Sequence, residues 1–348
     1  MTIDLAPRYE GISAKAYEHP GDRAATAALH SIPLMDQVVK RLCDFGHERQ
    51  FRQVLLGNAV RVGEDQLPDL WNGYRACVLV LDLDHTPELY VTQTPMVNAL
   101  TVGARNPVVI VASSLVGSYQ PVEVGAVLAH EAGHVLSEHY TYTTALMIIS
   151  QVVQGALPRS LLAGLPIRAL YLALLEWSRM AELSSDRAAA LVLGDPLPVC
   201  QMLMRMAGGA LEGMNLDAFI RQATEYEDED DLYARHTRFR VELVRGHPFA
   251  VRRVRQLVRW VSDGDFDRIR AGNYVRRGQE PPVSEEFATA LDHYGERFVA
   301  MVDRVGGGVQ RVADQISAWL RSRQGAGADG AAGDPDVEDM ADWDDEPE

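Results

Sequence analysis

The chain is poor in cysteine. Only Cys43, Cys77 and Cys200 occur in 348 residues. They stand far apart and in no metal-like spacing, which argues against a disulfide framework and fits a reducing, cytoplasmic setting. Long apolar runs are missing too. No stretch of about 18 apolar residues occurs, so an ordinary membrane-spanning helix is not expected. The start, MTIDLAPRYEGIS, has no basic residues leading into an apolar run, so no signal peptide is expected. A GxSxG nucleophile elbow is absent, and Gly306 to Gly308 is not followed by the Gly-Lys-Ser/Thr of a phosphate loop. Basic residues are absent from 324–348, which holds ten carboxylates. Without those ten the net charge falls from −16 to −6. So mildly acidic a body argues against nucleic acid as the main partner. The composition is otherwise ordinary, at 47% hydrophobic and 24% charged residues. Such a chain buries a full core, which excludes fibrous, collagenous and wholly disordered classes.

The expected fold class is α+β, mainly helical, with a small mixed sheet. Residues 1–63 read as an N-terminal helical segment. Residues 64–262 read as the main domain, with 263–323 a C-terminal helical segment packed on it. The Gly-, Ala- and Asp-rich tail 324–348 is expected to be disordered. Helical periodicity covers 23–42, broken near Pro33, then 47–56 and 67–83. Short β-branched runs at 88–92, 98–102 and 107–112, separated by Thr-Pro, Gly and Asn-Pro, predict strands. Pro121 and Glu123 mark a helix start, and the pattern predicts a helix running through at least His139. Further helices are expected over 143–157 and 161–193, as a broken array over 196–259, and as a pair at 285–304 and 309–321. The run 225–231 is an acidic break.

The informative segment is His130-Glu131-Ala132-Gly133-His134, flanked by Val124, Val127, Leu128, Val135 and Leu136. A helix this apolar is buried. Charged and imidazole groups inside it need partners, and a metal ion is one. His130 and His134 lie about 40° apart in azimuth and about 6 Å apart along a helix. Both imidazoles can then meet one ion. Glu131 points beside that ion, where a base takes a proton from activated water.

Catalytic zinc takes three protein ligands. His139 is nine residues after His130, about 180° round a continuous helix, which predicts a surface histidine. Glu138 is on the right stripe but about 12 Å along the axis from His130. Glu182, in Ala181-Glu182-Leu183-Ser184-Ser185-Asp186, is a better candidate. Glu182 and Asp186 are four apart and share a helix face. Asp186 can hydrogen-bond a ligand histidine and hold its ring. The other reading of this pair is a solvated acidic face matched to Arg179 or Arg187.

HEAGH followed some fifty residues later by AELSSD resembles the HtpX-like and CAAX prenyl endopeptidase family of gluzincins, whose pattern is HExxH and then ExxxD. Pro95-Met-Val-Asn98-Ala99 and Pro107 to Leu115 are similar to the strand pair ahead of its active-site helix. Gly246-His247-Pro248 with Arg253 is similar to its C-terminal His-Pro…Arg element. The resemblance covers about 68–260. It implies a zincin-like fold, one Zn2+ per chain on His130, His134 and Glu182, and Glu131 as general base and later proton donor. It implies Asp186 behind a ligand histidine, and Asn98, Ala99 and Leu100 on an edge strand that pairs with extended substrate. It also implies that His247 and Arg253 approach the site and stabilise an oxyanion. The residues themselves allow a helix-entry role for His247, fixed by Pro248. For Arg253 they allow a structural salt bridge to Asp186 or Glu182.

Many members of that family span membranes, whereas 143–175 here is apolar but interrupted by Gln151, Gln154, Pro158, Arg159, Pro166 and Arg168. Each half is too short to cross a bilayer. A buried hairpin is expected, with shallow membrane contact the other reading. The arginines from Arg235 to Arg259 follow the acidic run and are read as pairing within the chain, not as a nucleic-acid surface. The expected function is a zinc-dependent endopeptidase acting on peptide or unfolded protein. The alternatives are a catalytically silent, zinc-stabilised interaction or regulatory protein, and a peripheral membrane-surface factor. The sequence assigns no oligomeric state.

Overall fold

A computed structural model describes residues 5–31, 39, 47–93, 99–155, 166–209, 211–228 and 248–280. Four strands form one mixed sheet: β1 (Val60–Val62), β2 (Glu88–Thr92), β3 (Ala99–Val102) and β4 (Val108–Ala112). Their order is β1-β2-β4-β3. β2 and β4 run parallel, while β1 on β2 and β3 on β4 are antiparallel. The three strands read from β-branched runs are found within one residue of their expected bounds. β1 was not anticipated, because three residues are too few to show an alternating pattern.

The strands sort their side chains by the period of two. Leu89, Val109 and Val111 enter the main core, while Tyr90, Val102 and Val108 form a smaller cluster with Leu55 on the opposite face. That second face is covered by helix α2 (His47–Asn58), which supplies Leu55 and Phe51. Helix α1 (Pro20–Ser31) precedes it, and α3 (Pro68–Val80) packs on the main face.

A short helix α4 (Ser113–Ser118) leads from β4 into α5 (Pro121–Leu136), which carries HEAGH. Pro121 sits at the start, where its missing N–H costs nothing. The Gln120 N–H donates to Glu123 Oε2 at 2.8 Å, which satisfies a backbone donor at the helix start. Nearly every residue of α5 is buried. The expectation that this helix continues through His139 is corrected. It ends at Leu136. The Glu138 N–H bonds Val135 O at 3.1 Å and the His139 N–H bonds His134 O at 3.0 Å, with Glu138 in the left-handed region at φ 55°. This is a Schellman closure built on glutamate instead of glycine. The sequence hides it because no glycine announces it.

The chain continues as α6 (Tyr140–Gly155), α7 (Pro166–Leu193), α8 (Leu197–Gly208), α9 (Leu216–Asp228), α10 (Ala250–Ser262) and α11 (Asp265–Arg270). Gly133 lets α5 approach α7: a Cβ there would stand 2.6 Å from the Ala188 Cβ. The N-terminal residues are tied to α7 and to the segment after α11. The Ala6 N–H bonds Val192 O at 2.9 Å, and the Ser13 N–H bonds Val275 O at 3.0 Å. No described helix is long and apolar enough to cross a membrane. The helical pair expected at 285–304 and 309–321, the acidic tail 324–348 and the middle of the apolar stretch, 156–165, lie outside the described residues.

Candidate metal centre

Helices α5 and α7 bring three buried ligand groups together. His130 Nε2 and His134 Nε2 are 3.1 Å apart. Glu182 Oε2 is 3.5 Å from His130 Nε2, and Glu182 Oε1 is 3.5 Å from His134 Nε2. One ligand atom from each residue lies within 4.8 Å of the other two. Two imidazole nitrogens and one carboxylate, all aimed at one point inside the protein, suit a borderline cation such as zinc. With both Nε2 atoms deprotonated, the two nitrogens and the carboxylate present three converging lone pairs, so the donor set fits an ion.

Around the three lies a layer of charge. His130 Nδ1 is 3.1 Å from Asp186 Oδ1, short of hydrogen-bond alignment. Arg253 grips Asp186 with two bonds, Nε to Oδ2 at 2.8 Å and Nη2 to Oδ1 at 2.7 Å. Its Nη1 is 2.9 Å from Glu182 Oε2. Arg253 is buried, as are both carboxylates. Its guanidinium is thus committed to the carboxylates beside the histidines. Burial opposes the charge on His130, but the Asp186 and Glu182 carboxylates outweigh it and push its pKa up to about 9. His134 goes the other way: burial, with the charge of His130 adding to it, pushes it down to about 3. Burial likewise opposes the charge on Asp186, yet Arg253 and His130 hold its carboxyl below the usual range. The two histidines are thus shifted in opposite directions, which favours holding a proton on His130 over His134, and their short N···N contact needs one N–H donor and one acceptor.

Glu131 is buried beside these groups and opens on a cavity of about 360 Å³. The cavity is also lined by Ala99, Leu100 and Thr101 of β3 and by His134 and Glu182. Thr101 Oγ1 donates to Glu131 Oε2 at 2.6 Å. β3 is the last strand in the sheet order, paired with β4 through Ala99↔Val111 and Leu100↔Ile110. Of the residues singled out from sequence, His130, Glu131, His134, Glu182, Asp186, Arg253, Ala99 and Leu100 come together here. Asn98 and His247 lie outside the described residues.

Three residues at this site were not found by sequence reasoning. Thr101 carries no motif. Asp22 comes from α1, far away in the chain. The expectation that His139 is a surface histidine is corrected. His139 is 3% exposed, with Nδ1 2.9 Å from His134 Nδ1 and Nε2 2.9 Å from Asp22 Oδ2. The early end of α5 turns it inward.

The sequence profile described as peptidase family M48 matches residues 73–261. Plastoglobule-localized metallopeptidase 48, chloroplastic, of Arabidopsis thaliana is 32% identical over 261 residues, covering 72% of this chain and 74% of its own. Protease HtpX homolog 2 of Methanosarcina mazei is 27% identical over 215 residues, covering 50% of this chain and 70% of its own. Protease HtpX homolog 1 of Streptomyces coelicolor is 29% identical over 172 residues, covering 42% and 56%. No solved structure matches the chain.

Proposed function

Since the chain belongs to peptidase family M48, and is a metalloprotease of peptide or protein substrates, we propose that it is a zinc-dependent endopeptidase with Glu131 as its general base. The observation that carries this reading is the convergence of His130, His134 and Glu182 within 4.8 Å, with Glu131 on the adjoining cavity. In this reading the three hold one zinc ion per chain. When bound there, zinc supplies Lewis acidity toward the scissile carbonyl and a lower pKa for the attacking water.

The protein's own groups do the rest. Glu131 accepts the proton of the attacking water and later gives a proton to the leaving amine. Thr101 fixes the Glu131 carboxylate by its hydrogen bond. Asp186, 3.1 Å from His130 Nδ1, stands where a small turn of the ring would bring the two into a hydrogen bond that orients it. Arg253 acts by holding Glu182 and Asp186, in place of the oxyanion contact that the resemblance implies. Ala99 and Leu100 on β3 offer backbone to an extended substrate, the conformation of an unfolded segment. Cys77 and Cys200 are buried free thiols, which supports a reducing, cytoplasmic setting.

The test is Glu131→Gln on the purified chain, with metal content and cleavage of an unfolded protein as readouts. We expect about one zinc per chain in both proteins and at least about 100-fold less cleavage in the variant. Undiminished cleavage would overturn the assignment of the base. Zinc without cleavage in the unmodified chain would favour the silent, zinc-stabilised reading.

A further inference from the structure

Behind His134 stands a second pair of groups that the proposed chemistry does not use. His139 and Asp22 are both buried, at 3% and 1% exposure. Trp177 packs on the His139 ring in a T-shaped contact, with centroids 5.6 Å apart and planes at 81°. Asp22 lies in the first turn of α1, well outside residues 73–261 that match the family. We infer that Asp22 and His139 are positioning residues that orient the metal ligand His134 and fix its tautomer.

Allowed donors and acceptors carry this inference, which rests on His134 being a ligand as proposed above. His134 turns Nε2 toward His130 and Glu182, so a ligand role puts its proton on Nδ1. That Nδ1 is 2.9 Å from His139 Nδ1. His139 must then accept there, which puts its own proton on Nε2. This Nε2 is 2.9 Å from Asp22 Oδ2, an acceptor. Ser184 Oγ donates to the same oxygen at 2.6 Å, and Ser184 Oγ in turn accepts from the His19 N–H at 2.9 Å. Thr26 Oγ1 donates to Asp22 Oδ1 at 3.3 Å, and Trp177 Nε1 donates to Thr26 Oγ1 at 2.9 Å. Every group in the chain therefore has one role, and all point the same way: Asp22 ← His139 ← His134. A carboxylate behind a ligand histidine raises its basicity and fixes its ring. Here the carboxylate acts one imidazole further out.

A competing use of these groups is a second ion, since Glu18, Asp22 and His139 also cluster. The bonds favour the relay. Lys15 Nζ already pairs with Glu18 Oε2 at 3.0 Å, and Asp22 Oδ2 already takes two donors.

The experiment measures zinc stoichiometry and affinity by chelator competition in the full chain, in Asp22→Asn, in His139→Phe and in the double variant. Circular dichroism checks that each is folded. We expect one zinc per chain, affinity lower by about 10–100-fold in each single variant, and no further loss in the double. Single-variant affinities within about twofold of the unmodified chain, or losses that add, overturn the inference while leaving the metal site standing. No zinc on the unmodified chain overturns the proposed function as well. A second equivalent of zinc that is lost in Asp22→Asn overturns the relay in favour of a second ion. Should the variants not fold, nitrogen NMR of the zinc-loaded unmodified chain decides. It is expected to show His134 protonated at Nδ1 and His139 at Nε2, with coupling across their N–H···N bond. His139 protonated at Nδ1 overturns the inference.

Discussion

Thr101, on the last strand of the sheet, donates a 2.6 Å hydrogen bond to the carboxylate of Glu131 on the site helix. The sheet and the HEAGH helix are thereby joined at the group proposed to move protons. A hydrogen bond to a charged acceptor is worth about 1.5–3 kcal/mol. Thr101→Val keeps the shape and removes the donor. Cleavage is expected to fall by about 10–100-fold with zinc affinity unchanged, measured by steady-state kinetics and chelator competition. A matching loss of zinc would show that Thr101 supports the metal site instead.

Gly133→Ala sets two effects against each other. Alanine favours a helix interior by about 1 kcal/mol. Its Cβ would meet the Ala188 Cβ at 2.6 Å and Ser185 Cα at 3.3 Å, so α5 and α7 must part. Overpacking of this kind costs about 1–3 kcal/mol. The second effect is expected to win, and moving α7 also moves Glu182. Thermal unfolding and metal analysis should show a less stable protein that holds zinc weakly.

The pH dependence follows from His130. Its pKa in the metal-free protein is pushed up to about 9. A group raised in this way stabilises the metal-free fold fully below its unfolded pKa of about 6.5, and that contribution is lost as pH rises through 9. Zinc needs the neutral ring, so its uptake displaces a proton. Apparent zinc affinity should fall by about tenfold per unit as pH drops below 9 and level off above it. Calorimetry at pH 7 in buffers of different ionisation enthalpy should report about one proton released per zinc. Buffer-independent heats would refute the charged His130.

Arg253 neutralises two buried carboxylates at once, through contacts of 2.7–2.9 Å to Asp186 and Glu182. Removing one partner of a buried ion pair costs about 3–5 kcal/mol. Denaturant unfolding of metal-free Arg253→Met should show a loss of that size. Zinc should restore part of it, because the ion compensates Glu182. Arg253→Lys keeps the charge but loses the fork on Asp186 and should fall between.

Much of this site is legible in the sequence because its proposed ligands and the carboxylate behind them repeat at helical spacing. His130 and His134, and then Glu182 and Asp186, each sit four apart. The likeness drawn from HEAGH and AELSSD is to the HtpX-like group, and the comparisons return the same family. The strands at 88–92 and 108–112 were plain in their β-branched runs. The misses share a cause. Spacing rules hold only within one continuous element. His139 was carried onto the wrong face because Glu138, with no glycine to flag it, turns the chain at φ 55°. Thr101 and Asp22 reach the site through tertiary contacts, which leave no periodic trace.

The backbone tie from Ser13 to Val275, and the span of the site from Asp22 to Arg253, bear on how this protein is made. The ribosome adds about 5–20 residues per second, so roughly 10–45 s of synthesis separate Asp22 from Arg253. HEAGH is complete only at His134 and then waits roughly 6–24 s for Arg253, first without the proposed third ligand Glu182 and then without the arginine that neutralises it. Long-range assembly of the centre thus delays its completion until Arg253 has been made.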